Sequence, residues 1–81
     1  MFLRAAHFRA ARAMLDASQA EIAALAGISL PTLKRLESEI SGPGRANSSN
    51  VEALAKAYMV KGIRFHFPDR DGLIGVSLDN D

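Results

Sequence analysis

Gln19–Leu36, QAEIAALAGISLPTLKRL, is the stretch on which the fold turns. Read as two short helices meeting at Gly27, it has a physical sense at each position. Ile22 and Ala26, four residues apart, share the buried face of the first helix. Ala23 adds no bulk where the second helix crosses the first. Gly27 suits the left-handed conformation that ends one helix and opens a sharp turn. Ile28 covers the core beneath that turn, and Leu33 and Leu36 form the inward face of the second helix. Ser18 and Glu21 have the spacing of a capping box, which sets where the first helix starts. Ser29 stands at the N-cap of the second, and Pro31 falls in its first turn, where no amide hydrogen is needed.

Two helices joined in this way have the form of a helix-turn-helix. With its flanks, from about Phe8 to Tyr58, the stretch resembles the phage-repressor, Cro-like (XRE) family of transcriptional regulators. The resemblance implies a mainly α fold: a small four-helix, lambda-repressor-like domain. It also implies binding to double-stranded DNA, with a recognition helix over about Leu30–Ser38 in the major groove. In that family an Arg seven residues before the Gln of the motif forms a structural ion pair with a Glu at the end of the recognition helix. Arg12 and Glu37 hold those positions here. The family's base contacts fall on Ser29, Leu30, Pro31 and Arg35, and Thr32 and Lys34 lie among them on the surface that bases would meet. Gln19, in the first turn of its helix, is implied as a phosphate contact, with Ser18 and Ser38 assigned to the same role.

The chain departs from the family at Leu30 and Pro31, where many relatives carry polar residues. Leu30 offers apolar contact only, for example to a thymine methyl, so bidentate reading of guanine falls to Arg35. Lys34 can take a base or a phosphate. Discrimination is then modest, or leans on DNA shape. The same departure keeps a second reading open: a protein-interaction module, such as an antitoxin or adaptor, using the motif as a docking face.

Eighty-one residues allow one domain with one small core. The absence of Cys excludes a disulfide framework and a thiolate zinc site, and fits a reducing cytoplasm. No apolar run reaches the length of a membrane span. Arg4, His7, Arg9 and Arg12 come too early and too regularly for a secretory signal. Net charge is only +1, but its distribution is uneven. Residues 1–36 hold five basic and two acidic side chains, and residues 37–81 hold five basic and seven acidic. Positive charge therefore travels with the motif. Two His in distant segments, no Gly-rich phosphate loop and no paired carboxylates argue against an enzyme, and no cofactor or metal is expected.

Around the motif, a first helix is expected over about Leu3–Leu15, with Phe8, Ala11 and Leu15 inward and Arg4, His7 and Arg9 nearer solvent. Glu39–Ser49 is rich in Gly, Ser, Pro and Asn and reads as a loop. Within it Arg45, Asn47 and Ser48, leading into a helix N-terminus, form either a phosphate clamp or a merely solvated segment. A fourth helix follows over about Asn50–Lys61, with Val51, Leu54, Ala55 and Tyr58 as its inward stripe. Residues 1–61 thus read as the helix-turn-helix domain and 62–81 as a C-terminal β-hairpin. In the hairpin Ile63, Phe65 and Phe67, then Ile74, Val76 and Leu78, alternate with smaller or polar residues. A lone hairpin is barely stable in water, so its apolar face must pack on something. Phe65, Phe67, Ile74 and Val76 are the expected contact of a symmetric homodimer, against the alternative of a hairpin folded onto its own protomer. The whole reading is a dimeric, cytoplasmic regulator of transcription, a repressor by family tendency.

Overall fold

The computed structural model describes residues 3–38, 42–43, 47–67 and 74–79. Along the chain run α1 (Ala5–Met14), α2 (Gln19–Ala26), α3 (Leu30–Leu36), α4 (Ser48–Val60), β1 (Ile63–His66) and β2 (Gly75–Leu78). Four helices followed by a two-stranded antiparallel hairpin form a small, mainly α domain.

The local signals in the motif act as their chemistry dictates. Ser18 Oγ accepts from the Glu21 amide at 3.1 Å, and Glu21 Oε1 accepts from the Ser18 amide at 3.0 Å. The bond donated by the Ser18 amide, with the Ser18 hydroxyl close by, holds the Glu21 carboxyl below its ordinary pKa. Gly27, at φ +71°, supplies the left-handed residue that ends α2. Ser29 Oγ accepts from the Thr32 amide at 3.2 Å and starts α3. Helix α3, expected over about Leu30–Ser38, is shorter than its sequence pattern: it ends at Leu36, with Glu37 as C-cap. Helix α4 begins two residues earlier than expected, because Asn47 caps it by accepting from the Ser49 amide at 2.9 Å.

Phe8 and Ala11 of α1, Ile22 and Ala23 of α2, Leu33 and Leu36 of α3, Leu54, Ala55 and Tyr58 of α4, and Ile63 of β1 pack into one core. Leu15, Ala26, Ile28 and Val51 pack against its margin, half-buried. Because Ile63 belongs to the same core, the helices and the described part of the hairpin pack around shared side chains. In the hairpin Ile63 faces Leu78, Phe65 faces Val76 and His66 faces Gly75. Phe65 sets its ring edge-on to Phe8, with centroids 5.9 Å apart, and edge-on to Tyr58 at 6.2 Å. That geometry suits the aromatic quadrupole and locks the hairpin to α1 and α4.

His7 corrects the sequence reading. Expected nearer solvent, it is 1 % exposed. Its Nδ1 accepts from the Arg4 amide at 3.0 Å, and its Nε2 lies 2.7 Å from the carbonyl oxygen of His66. A carbonyl can only accept, so the ring carries its proton on Nε2 and donates it to β1. The Phe65 and Phe67 rings flank the imidazole at 6.0 and 5.4 Å. Helical periodicity identified only the face of α1 turned towards the other helices. The hairpin covers a second face, and His7 lies on it.

The second polar tie is the Glu37 carboxylate. Arg12 Nε donates to Oε2 at 2.8 Å and Arg12 Nη2 to Oε1 at 2.9 Å, a two-pronged ion pair. Gln19 Nε2 adds a third donor to Oε1 at 3.2 Å, and Arg9 Nη1 donates to the Glu37 carbonyl at 2.7 Å. Side-chain exposure is 26 % for Arg12 and 4 % for Glu37, so the pair lies mostly out of water. The hydrogen bond that Arg12 donates to the Glu37 carboxylate raises the Arg12 pKa, and burial opposes it. Close by in electrostatic reach, the Tyr58 hydroxyl is buried with no hydrogen-bond partner among the described residues.

Glu37→Gln keeps the shape but leaves Arg12 without its counter-charge. Urea denaturation should show a loss of about 3 kcal/mol, the lower end for removing one member of a buried pair. A loss below about 1 kcal/mol, typical of an exposed pair, would contradict that role. Tyr58→Phe should be neutral or stabilising by about 1 kcal/mol, since it removes an unsatisfied hydroxyl. Burial, then the charge of Glu37, pushes the Tyr58 pKa up, with Arg12 pulling the other way. The unfolded chain releases this proton near pH 10 while the folded chain keeps it. Tyr58 should therefore leave stability unchanged below about pH 10 and lower it above, a loss that Tyr58→Phe abolishes. Tyr58 is the chain's single tyrosine, so phenolate absorbance followed through an alkaline titration measures this directly.

Candidate functional site

Helix α3 is amphipathic in the sense that matters for a surface reader. Leu33 and Leu36 are wholly buried, and they anchor the helix to the core by one side. Pro31, Lys34 and Arg35 on the other side are exposed, as is Ser29 before it; Leu30, Thr32 and Ser38 are half-buried. The six residues expected to meet bases, Ser29 to Thr32 with Lys34 and Arg35, thus belong to one short helix and its cap. Leu30 is the exception in kind, since it also packs against the edge of the core. Its apolar side chain serves the fold as well as the surface.

The polar groups of this face are chained together. Ser29 Oγ and Thr32 Oγ1 are 2.7 Å apart, and Arg35 Nη2 donates to Thr32 Oγ1 at 3.4 Å. Thr32 therefore holds the guanidinium along the helix surface. A contact as long as 3.4 Å is weak, so Arg35 exchanges it for a better acceptor at little cost. With Lys34 beside it, two cations sit in the last turn of α3, where the helix dipole favours positive charge.

The other expected phosphate contacts differ in where their side chains lie. Ser18 is exposed, but its hydroxyl is committed to the cap of α2. The Gln19 amide, expected to face outward, turns instead to Glu37. The buried carboxylate offers it an acceptor nearer than solvent, and only the tertiary fold brings the start of α2 to the end of α3. Asn47 and Ser48 are exposed at the start of α4, with the Asn47 oxygen engaged by both the Ser49 amide and the Ser49 hydroxyl. Arg45, the cation of the expected clamp, lies outside the described residues.

The hairpin residues expected at a dimer contact are largely spent within the protomer. Phe65 packs on Phe8 and Tyr58, Phe67 on His7, and Val76 against the core. Ile74 precedes β2 and is half-buried. On the outer face, Arg64 pairs with Asp79 at 2.8 Å and His66 Nε2 meets Ser77 Oγ at 2.8 Å. What the hairpin still offers to another chain is its strand edges.

Beyond the Arg12–Glu37 pair that the resemblance implied, two features were not legible as a site. Arg9 of α1 joins Arg12 at the C-terminus of α3 by donating to the Glu37 carbonyl. An apolar groove also lies between α2 and α4, lined by Leu25, at 45 % exposed, and Val60, at 74 %, with Ala53 and Ala57. Leu25 and Val60 were detectable as bulky apolar residues outside the inward stripes. Among the described residues no group of three His, Cys, Asp or Glu side chains is placed to hold a metal ion, and no helix is long and apolar enough to cross a membrane. No family model matches this chain, and no curated protein or solved structure matches it either.

Proposed function

We propose that this chain is a sequence-specific DNA-binding regulator of transcription that acts as a homodimer in the cytoplasm. The observation that carries this reading is the arrangement of α2, Gly27 and α3. A left-handed turn sets α3 across α2, Leu33 and Leu36 fix it from beneath, and Lys34 and Arg35 stand exposed on its outer side. A helix held from one side, carrying cations on the other, suits the major groove of double-stranded DNA. Arg35 supplies bidentate contact to guanine, Thr32 and Ser29 contribute hydroxyls, and Leu30 and Pro31 offer apolar contact to thymine methyls. The N-terminal parts of α2 and α4, at Ser18 and at Asn47 and Ser48, face phosphates through their amide groups. Two such helices in a dimer address half-sites one turn apart, about 34 Å. Occlusion of a promoter then gives repression, the commoner mode in the family that the motif resembles.

A protein-interaction module, antitoxin-like or adaptor-like, is the second reading. The exposed apolar side chains of Leu25 and Val60, which line one groove with Ala53 and Ala57, favour it, because a partner protein would take such a surface out of water.

Selection of bound sites from a random duplex pool tests the first reading. Wild type should enrich an inverted repeat, and Arg35→Ala should blur one position in each half-site, costing about 1–3 kcal/mol on the best sequence. No enrichment at low salt would overturn DNA binding. Lys34→Ala separates phosphate from base contact: loss of a phosphate contact weakens all sequences alike and lowers the slope of affinity against salt by about one. An unchanged slope with altered sequence preference would make Lys34 a base reader.

A further inference from the structure

Among the described residues, the outer side of α3 offers many hydrogen-bond donors and almost no acceptors. Lys34 and Arg35, both exposed, carry N–H groups alone. Leu30 and Pro31 carry no polar side-chain atom. Glu37, the one carboxylate of α3 and its caps, is 4 % exposed and holds Arg12 and Gln19 instead of facing outward. The hydroxyls of Ser29 and Thr32 are the remaining acceptors. The Thr32 amide donates to Ser29 Oγ at 3.2 Å, the two hydroxyls share a bond of 2.7 Å, and Arg35 Nη2 donates to Thr32 Oγ1 at 3.4 Å. These bonds occupy all but one of the lone pairs on the two oxygens and leave one O–H proton free.

A face of donors is complementary to acceptors. In the major groove guanine presents O6 and N7, and thymine presents O4 beside its methyl. Cytosine presents only an amino group there, and adenine sets one beside its N7. An amino group that meets no acceptor loses its water and gains nothing in exchange. We propose that α3 selects keto bases, guanine and thymine, on the strand that it faces. The inference rests on the DNA-binding reading proposed above and names the chemical class of its half-site. A helix of seven residues is about 10 Å long, so the keto run covers about three base pairs. Arg35 forks onto guanine O6 and N7, Lys34 adds donors beside it, and Leu30 and Pro31 pack on thymine methyls. The apolar pair at Leu30 and Pro31 thereby gains a consequence: with no amide there, adenine has no bidentate partner on α3.

Selection from a random duplex pool supplies the site, and deletion of single base groups on that site tests the inference. Enriched half-sites should carry guanine and thymine consecutively on one strand. Replacing the guanine by 7-deazaguanine, which lacks N7, should weaken binding about tenfold, within the range for one bidentate contact. Replacing an adenine of the opposite strand by unsubstituted purine, which lacks the amino group, should leave the dissociation constant unchanged. Arg35→Gln changes an exposed side chain and should convert one position from guanine to adenine, the base that an amide reads. A pool without enrichment removes the DNA-binding reading and this inference with it. An enriched site that keeps its affinity with 7-deazaguanine and loses it with the amino group leaves DNA binding standing and overturns the keto selection. An Arg35→Gln protein that still selects guanine at every such position overturns Arg35 as the reader of that base.

Discussion

The carboxylate of Glu37 is the point through which three helices are held at fixed angles. It sits at the C-cap of α3, receives Arg12 from α1 by two prongs, and receives Gln19 from the start of α2. Its own carbonyl takes Arg9, so cations from α1 also meet the negative end of the α3 dipole. A seven-residue helix is too short to be stable by itself. Its geometry comes from Leu33 and Leu36 below and from this polar clasp at its end. The clasp spends charge on orientation, a use that buried ion pairs serve better than bulk stability.

The hairpin closes the other side of the domain by different means. An aromatic cluster of Phe8, Tyr58 and Phe65 supplies area and edge-to-face geometry. His7 supplies direction, because each ring nitrogen is bound to the backbone of a different element. An apolar residue there would fill the space and leave the His66 carbonyl without its donor. The hairpin so extends a core that four short helices would leave small.

These two closures divide the surface. The α3 side carries two exposed cations, and the α2–α4 side carries a mainly apolar groove lined by Leu25, Ala53, Ala57 and Val60 together with Lys56. The hydroxyl of Tyr58, buried near Glu37 and without a partner among the described residues, is a small cost accepted where the aromatic cluster meets the clasp.

Much of this was written in local sequence. The Ser18–Glu21 box, Gly27, Ser29 and Pro31 set the ends of α2 and α3 by interactions spanning at most four residues, so the motif was readable without a fold. The inward stripes of α1 and α4 and the alternation in β1 and β2 followed from helix and strand periods. What only the tertiary structure decided involves contacts between segments remote in sequence. His7 is buried because β1 returns to cover it, Gln19 turns inward because Glu37 is brought beside it, and Phe65 faces its own helices. A periodic pattern states that a residue has a preferred face. Which element comes to lie against that face is a property of the assembled chain, because a single helix has no record of what will cover its second side.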